Sequence, residues 1–367
     1  MASGPGGPLL TRRQLNRTLL GRQGLLERSA ADPIAVVERL VGLQAQEPND
    51  PYVGLWSRIA PFDPLVLSDA LEARQVVRLG LMRTTLHLVT ADDALRLAPI
   101  MDDVPRRTFR NTPFARALRG LDTDAVISEA RGALAERPMT PSDLGKYLAV
   151  RWPERDPSAL AYLARYHLPL VQVPPRGLWR RSGRTTNTVL ETWLGRVTES
   201  TSVDAIVLRY LRAFGPATVA DIRTWSWLTG LGPVVDRLRP ALRAFRDEAG
   251  RELLDVEDGL LVDAGVHAAV RFLPRYDNVF LSHADRARIN GELSWGIDFG
   301  SKAPILIDGA IAAAWRVRRD RTTATMTIEL GRALSRAERR ELDDEAERLA
   351  LFLDPDVRRA TVVVPPG

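Results

Sequence analysis

Gly215-Pro216-Ala217-Thr218-Val219-Ala220-Asp221-Ile222 repeats, later in the chain, the pattern of Arg137-Pro138-Met139-Thr140-Pro141-Ser142-Asp143-Leu144. Laid on each other, Pro138, Thr140, Asp143 and Leu144 fall on Pro216, Thr218, Asp221 and Ile222. In both copies the threonine can cap a helix, and the acidic residue three positions on sits in the first turn. The surroundings are alike too: a longer helix before (Ala125 to Glu136; Val203 to Phe214), the short capped helix, another helical segment, then two β-like runs. For the first copy these are Leu168 to Val173 and Leu178 to Arg181, joined by the turn residues Pro174-Pro175-Arg176-Gly177. For the second they lie near Leu253 to Val256 and Leu260 to Val262, joined by Glu257-Asp258-Gly259.

Helix, helix, helix and hairpin is the outline of a winged helix-turn-helix. The N-terminal part reads the same way, with helices near 11–27, 33–45 and 64–75 leading into strands Val77 to Leu81 and Thr84 to Val89. The expected fold is α+β: tandem winged helix-turn-helix units over 9–90, 91–190 and 200–265, then a small β-barrel or sheet with a C-terminal helix over 266–367. In that last part Ala269 to Leu273, Asn278 to Leu281, Ala303 to Gly309, Ile311 to Val317 and Thr322 to Leu330 read as strands. Ser335 to Phe352 reads as an amphipathic helix and Thr361 to Val364 as a final strand. A winged helix binds DNA or serves as a protein scaffold, so its repetition argues for binding and supplies no chemistry by itself.

At 367 residues and 45% hydrophobic, the chain can bury a sizeable core. No apolar run is long enough to cross a bilayer, and Met1 to Pro8 lacks the basic and apolar parts of a signal peptide, so a cytoplasmic protein without membrane contact is expected. With no cysteine, disulfides, thiolate nucleophiles and cysteine-ligated metals are excluded. His87, His167, His267 and His283 are not spaced as helical metal ligands, so neither a metal nor another cofactor is expected. Of 51 basic residues only Lys146 and Lys302 are lysines, and the net charge is +5. Arginine forks suit phosphate, which favours a nucleic-acid partner. A GC-rich genome would give the same bias through codon usage.

Val41-Gly42-Leu43-Gln44-Ala45-Gln46-Glu47-Pro48 puts two uncharged amides two residues apart at the end of an apolar helix that starts at Asp32-Pro33. Pro48 disfavours helix at Glu47. In a continuing helix positions 44 and 46 point apart, whereas in an extended exit they share a face and converge on one small target, such as a water or a sugar. The plain alternative is a solvated helix end.

Taken together, the chain resembles the winged-helix DNA glycosylases of the AlkZ and YcaQ type over nearly its whole length. The motifs that carry the resemblance are Leu43-Gln44-Ala45-Gln46 followed by Leu55-Trp56-Ser57-Arg58; Met82-Arg83-Thr84-Thr85-Leu86-His87; Gly215-Pro216-Ala217-Thr218 with Asp221; and Leu273-Pro274-Arg275-Tyr276-Asp277-Asn278 with His283 and Arg286. Gln-x-Gln marks the branch that resembles antibiotic self-resistance glycosylases, while the other branch has aspartate at the second position. The resemblance implies hydrolysis of the glycosidic bond of an alkylated purine in double-stranded DNA, of the 7-alkylguanine type, with bulky adducts or interstrand crosslinks included. Gln44 and Gln46 are then catalytic. A 7-alkylated guanine is already cationic, so two amides that orient water and favour positive charge on the sugar suffice. No lysine lies near Gln44, so a monofunctional enzyme without a lyase step, acting as a monomer, is expected.

The resemblance also implies a DNA-facing hairpin around Arg275, Asn278, His283 and Arg286, and Arg83 and His87 on the first hairpin and Arg180 and Arg181 on the second are expected DNA contacts from their positions. Each has a structural alternative: a hydrogen bond for His87, a tight turn at Asp277-Asn278, a solvated wing for Arg180 and Arg181. Trp225 and Trp227 read as packing residues. The competing function is a winged-helix transcriptional regulator without catalysis, or an idle scaffold on adducted DNA; the glutamine placement and the long β-rich C-terminal part favour the enzyme.

Overall fold

Helices start where the capping chemistry is. In the computed structural model, which describes residues 7–199, 201–290, 301–319, 324–354 and 359–363, Asp32 accepts from the Ile34 and Ala35 N–H groups and Pro33 opens the helix Pro33–Arg39. Thr140 caps Pro141–Arg151 through the Asp143 N–H. Thr218 with Asp221 and Ser335 with Glu338 form reciprocal capping boxes at Val219–Ser226 and Arg336–Leu353. Thr322 and Val364, at the ends of two expected strands, lie outside the described residues.

Among the described residues, three open sheets carry the helices. The first has Leu43–Gln44 at one edge, then Leu86–Thr90, Val76–Gly80, Leu170–Gln172 and Asn187–Val189, all antiparallel. Arg78 faces Gln172 and Leu79 faces Val171, so the first and second hairpin regions share one sheet. In the second sheet the N-terminal strand Leu9–Leu10 runs parallel to Leu242–Asp247, which pairs with Glu252–Val256. The third runs in space from Arg359–Val363 through Ala324–Leu330, Ala310–Arg319 and Ala303–Ile307 to Arg271–Phe272. It is a sheet with two edges, and the apolar side of Arg336–Leu353 packs on it through Leu342, Ala346 and Leu349.

Four local expectations are corrected. The helix expected over 33–45 ends at Arg39, because Val41 and Gly42 take φ of 55° and 92° and the chain leaves extended. Gly42 is required there: a Cβ would lie 2.5 Å from Val89 Cγ1. Leu178 to Arg181 is a turn, with Leu178 buried against the apolar cluster of Tyr52 and Leu71 and Arg180 at φ 54°; Leu170–Gln172 pairs instead with Asn187–Val189. Leu260 to Val262 is not a strand, since the Leu260 carbonyl accepts from Arg22 and the Val262 N–H donates to Thr18 Oγ. Asn278–Leu281 is a short helix capped by Asp277, whose carboxylate is in turn held by both Arg58 Nη atoms.

Candidate active site

The extended exit decides how the glutamines are presented. Leu43–Gln44 pairs with the strand Leu86–Thr90, with Gln44 opposite His87, and the Ala45 N–H donates to the Leu86 carbonyl at 2.7 Å. Leu43 and Ala45 face the core on either side of Gln44, and Gln46 follows in a bend at the surface. Gln46 is exposed, whereas Gln44 is 7% exposed. The Gln44 Oε1 accepts from Arg83 Nη2 at 3.0 Å, which leaves a second lone pair for a water. From the far end of the chain, Asn278 Nδ2 donates to the Gly42 carbonyl at 2.8 Å and pins the start of the exit.

Arg83 sits in a turn where it and Thr84 both have left-handed φ, 56° and 58°, a strain that the surrounding bonds hold in place. Its other Nη donates to the Trp225 carbonyl, so the helix Val219–Ser226 is tied to the glutamine site. Burial, with Arg286 nearby, lowers the Arg83 pKa to about 10, still a cation at neutral pH. His87 is buried; its Nδ1–H donates to the Thr85 carbonyl at 2.9 Å, which leaves Nε2 facing Arg83 at 3.4 Å as an acceptor. Burial first, then Arg83, push its pKa down to about 3, so it is neutral and cannot serve as a general acid near pH 7.

The carboxylates beside Gln46 differ in state. Glu47 pairs with Arg275 at 3.1 Å. Asp50 opens the helix Asp50–Trp56, and its Oδ2 is buried with no hydrogen-bond partner among the described residues. Burial pushes its pKa up to about 7 against the pull of Arg275, with Glu47 and Asp277 pushing the same way as burial. Between the ordinary carboxylate range and pH 7 the folded protein therefore holds a proton that the unfolded chain has lost, and stability falls as pH rises through that window. Asp50→Asn is expected to remove this loss. Its advantage over wild type in denaturant unfolding should grow by on the order of 1–2 kcal/mol between pH 5 and pH 8, after discounting for partial solvent access. A constant difference across that range would place the Asp50 pKa at an ordinary value.

Arg286 and Arg181 are exposed, and Arg275 is half-buried. Of the residues expected to contact DNA, three are buried: His87, Asn278 and His283 are 1%, 6% and 2% exposed. Asn278 is spent on Gly42, and His283 Nδ1 bonds Ser282 Oγ at 2.8 Å, its pKa pushed down to about 3 by burial and then by Arg288. Arg180 lies on the turn and donates to the Leu353 carbonyl at 2.6 Å. Among the described residues no group of three or more histidine, cysteine or acidic side chains could hold a metal, and no helix is long and apolar enough to cross a membrane.

Sequence reading missed a basic groove of about 750 Å³ between Asp103–Arg110 and Val219–Ser226, bounded by Arg107, Thr108, Asn111, Arg223, Thr224 and Trp227. Trp225 packs in the core as expected, but Trp227 is 45% exposed at φ 62°, its carbonyl held by Arg107 Nη2. The only signal in the sequence was the Trp-x-Trp spacing after a short helix. A second cavity, about 390 Å³, borders Gly80, Leu81, Thr84 and Leu86, the hairpin that carries Arg83.

The family model for AlkZ-like DNA glycosylases matches residues 37–352. Among solved structures, the DNA glycosylase AlkZ of Streptomyces sahachiroi is similar in fold, with a TM-score of 0.73 and 19% identity over 96% of this chain and 100% of that one. No curated protein matches. The matched segment holds both glutamines, the Arg83 turn and the Arg58–Asp277 pair, and takes in most of the chain: the protein belongs to the AlkZ-like family of DNA glycosylases.

Proposed function

We propose that this glycosylase hydrolyses the glycosidic bond of N7-alkylated guanine in double-stranded DNA, bulky adducts and interstrand crosslinks included, and leaves an abasic site without cutting the strand. The observation that supports this reading is a buried neutral amide, Gln44, oriented by Arg83 beside a neutral His87, with a second amide, Gln46, at the surface two residues on. Gln44, its carbonyl oriented by Arg83, and Gln46 at the surface hold the attacking water and favour positive charge on the sugar. Glutamine is a poor proton acceptor, which restricts the enzyme to bases that are already cationic in the nucleotide and leave neutral as the bond electrons pass to the ring. Lys302 is bonded to Glu329 and Lys146 lies in the helix Pro141–Arg151, which supports a monofunctional enzyme without a Schiff-base step.

The tandem helix-helix-helix-hairpin order, with Val203–Phe214, Val219–Ser226, Leu231–Leu238 and the Leu242–Val256 hairpin as its clearest copy, supports winged-helix units over 9–90, 91–190 and 200–265 as the DNA-binding frame. Arg83 with Arg286 nearby, exposed Arg181 and the Arg107–Arg223 groove support a cationic surface for phosphates. A monomer in the cytoplasm, in self-resistance to a DNA-alkylating natural product, is the setting this reading fits. The test is to incubate the protein with duplex DNA carrying 7-methylguanine and to follow free base and strand breaks separately. Free 7-methylguanine with breaks only after alkali is expected. Binding without release of base would favour an idle scaffold, and breaks without alkali would show a lyase.

A further inference from the structure

The glutamine segment is gripped at the carbonyl between the two amides. The last backbone bond of this edge is from the Ala45 N–H to the Leu86 carbonyl, and the Ala45 carbonyl has no backbone partner among the described residues. It accepts instead from Arg78 Nη2 at 2.8 Å. Arg78 comes from the strand Val76–Gly80, in the run Val76-Val77-Arg78-Leu79, and is 1% exposed. Its Nε and Nη1 are buried without a hydrogen-bond partner among the described residues. Burying a guanidinium with two of its three nitrogens unsatisfied costs free energy, and an apolar side chain of similar volume would fill the same space more favourably. Packing alone therefore does not account for an arginine here.

The roof over the guanidinium is built around it. Gly177 has φ +99°, and a Cβ there would lie 2.7 Å from Arg78 Nη1, so the turn Pro174-Pro175-Arg176-Gly177 can close over Arg78 only with glycine at that position. The Gly177 carbonyl accepts from the Tyr52 hydroxyl at 2.8 Å, and that hydroxyl also bonds Ser68 Oγ at 2.9 Å. Tyr52 belongs to the helix Asp50–Trp56 that follows the glutamines, so the same short segment is fixed on both sides of Gln46.

We propose that Arg78 is a positioning residue for the Gln44–Gln46 pair: by holding the Ala45 carbonyl under the Gly177 turn, it sets the direction in which both amides face the sugar. The proposal rests on the reading of Gln44 and Gln46 as the residues that act on the glycosidic bond. A carbonyl free to rotate would let the two amides diverge, and a displacement of about 1 Å in a positioned group costs about a hundredfold in rate.

The test measures single-turnover release of 7-methylguanine from duplex DNA by Arg78→Met and Arg78→Lys, with Gln44→Ala and Gln46→Ala run in parallel. Arg78→Met is expected to lower the rate at saturating protein about a hundredfold while half-saturation moves less than about threefold, and Arg78→Lys, which keeps one donor for the carbonyl, to recover part of the loss. Wild-type rate in Arg78→Met while the glutamine variants are slow overturns the proposal, as does an Arg78→Lys no faster than Arg78→Met. Full rate in both glutamine variants instead sinks the reading on which it rests. If Arg78→Met does not fold, Arg78→Gln decides in its place by the same rate and half-saturation.

Discussion

Gln44→Ala and Gln46→Ala are each expected to lower the single-turnover rate of base release about a hundredfold or more, as losses of preorganised polar groups do, with DNA affinity changed by less than about threefold. The two differ in their cost to the fold. Gln46 is exposed, so its removal should leave unfolding unchanged to within about 0.5 kcal/mol. Gln44 is buried and bonded to Arg83, and truncation leaves that guanidinium short of an acceptor, at about 1.5–3 kcal/mol. A stability loss without a rate loss at Gln44 would mark it as a partner for Arg83 only. Parallel loss of binding and rate at either position would assign the amides to DNA contact and remove them from the chemistry.

The largest effect expected is of salt. Duplex affinity should drop about a thousandfold between 50 and 200 mM monovalent salt if about six phosphates are neutralised. Arg223→Ala, which removes an exposed arginine from the groove beside Trp227, should weaken binding to any sequence and reduce the log–log slope by about one. A flat salt response would mean that the excess of arginine over lysine reflects codon usage and that the groove is not a DNA surface.

How much of this was legible in the sequence follows from the range over which each interaction acts. Caps are local, so Asp32-Pro33, Thr140 and Thr218 announced their helices from within four residues. The amides at 44 and 46 stood out because polar residues in that pattern at an apolar helix end are unusual, and the extended exit was one of two geometries that spacing allowed. The choice between them was made by Gly42 against Val89, a contact across a sheet. Asn278–Leu281 holds three apolar residues after an asparagine, too short to show a period, and Asp277, which caps it, is held by Arg58, 219 residues away. Pairing of Arg78 with Gln172 joined two regions that sequence order kept apart. For the same reason Arg78 passed as an ordinary strand residue, since its value lies in reaching a carbonyl 33 positions earlier.

The central claim, that a water held by neutral amides does the work, is tested most directly by the pH–rate profile of Gln46→Asp. Asp50→Asn is used as the background, so that the carboxyl with a pKa of about 7 does not titrate in the same range. A carboxylate at 46 can orient the same water and stabilises a cationic sugar more strongly, so activity should persist and rise as the new carboxyl ionises, from about pH 4 upward. The parent with Gln46 intact should show no matching rise, because His87 is already neutral and Arg83 stays charged throughout that range. A folded Gln46→Asp protein as inactive as Gln46→Ala at every pH would contradict the water-orienting role of Gln46.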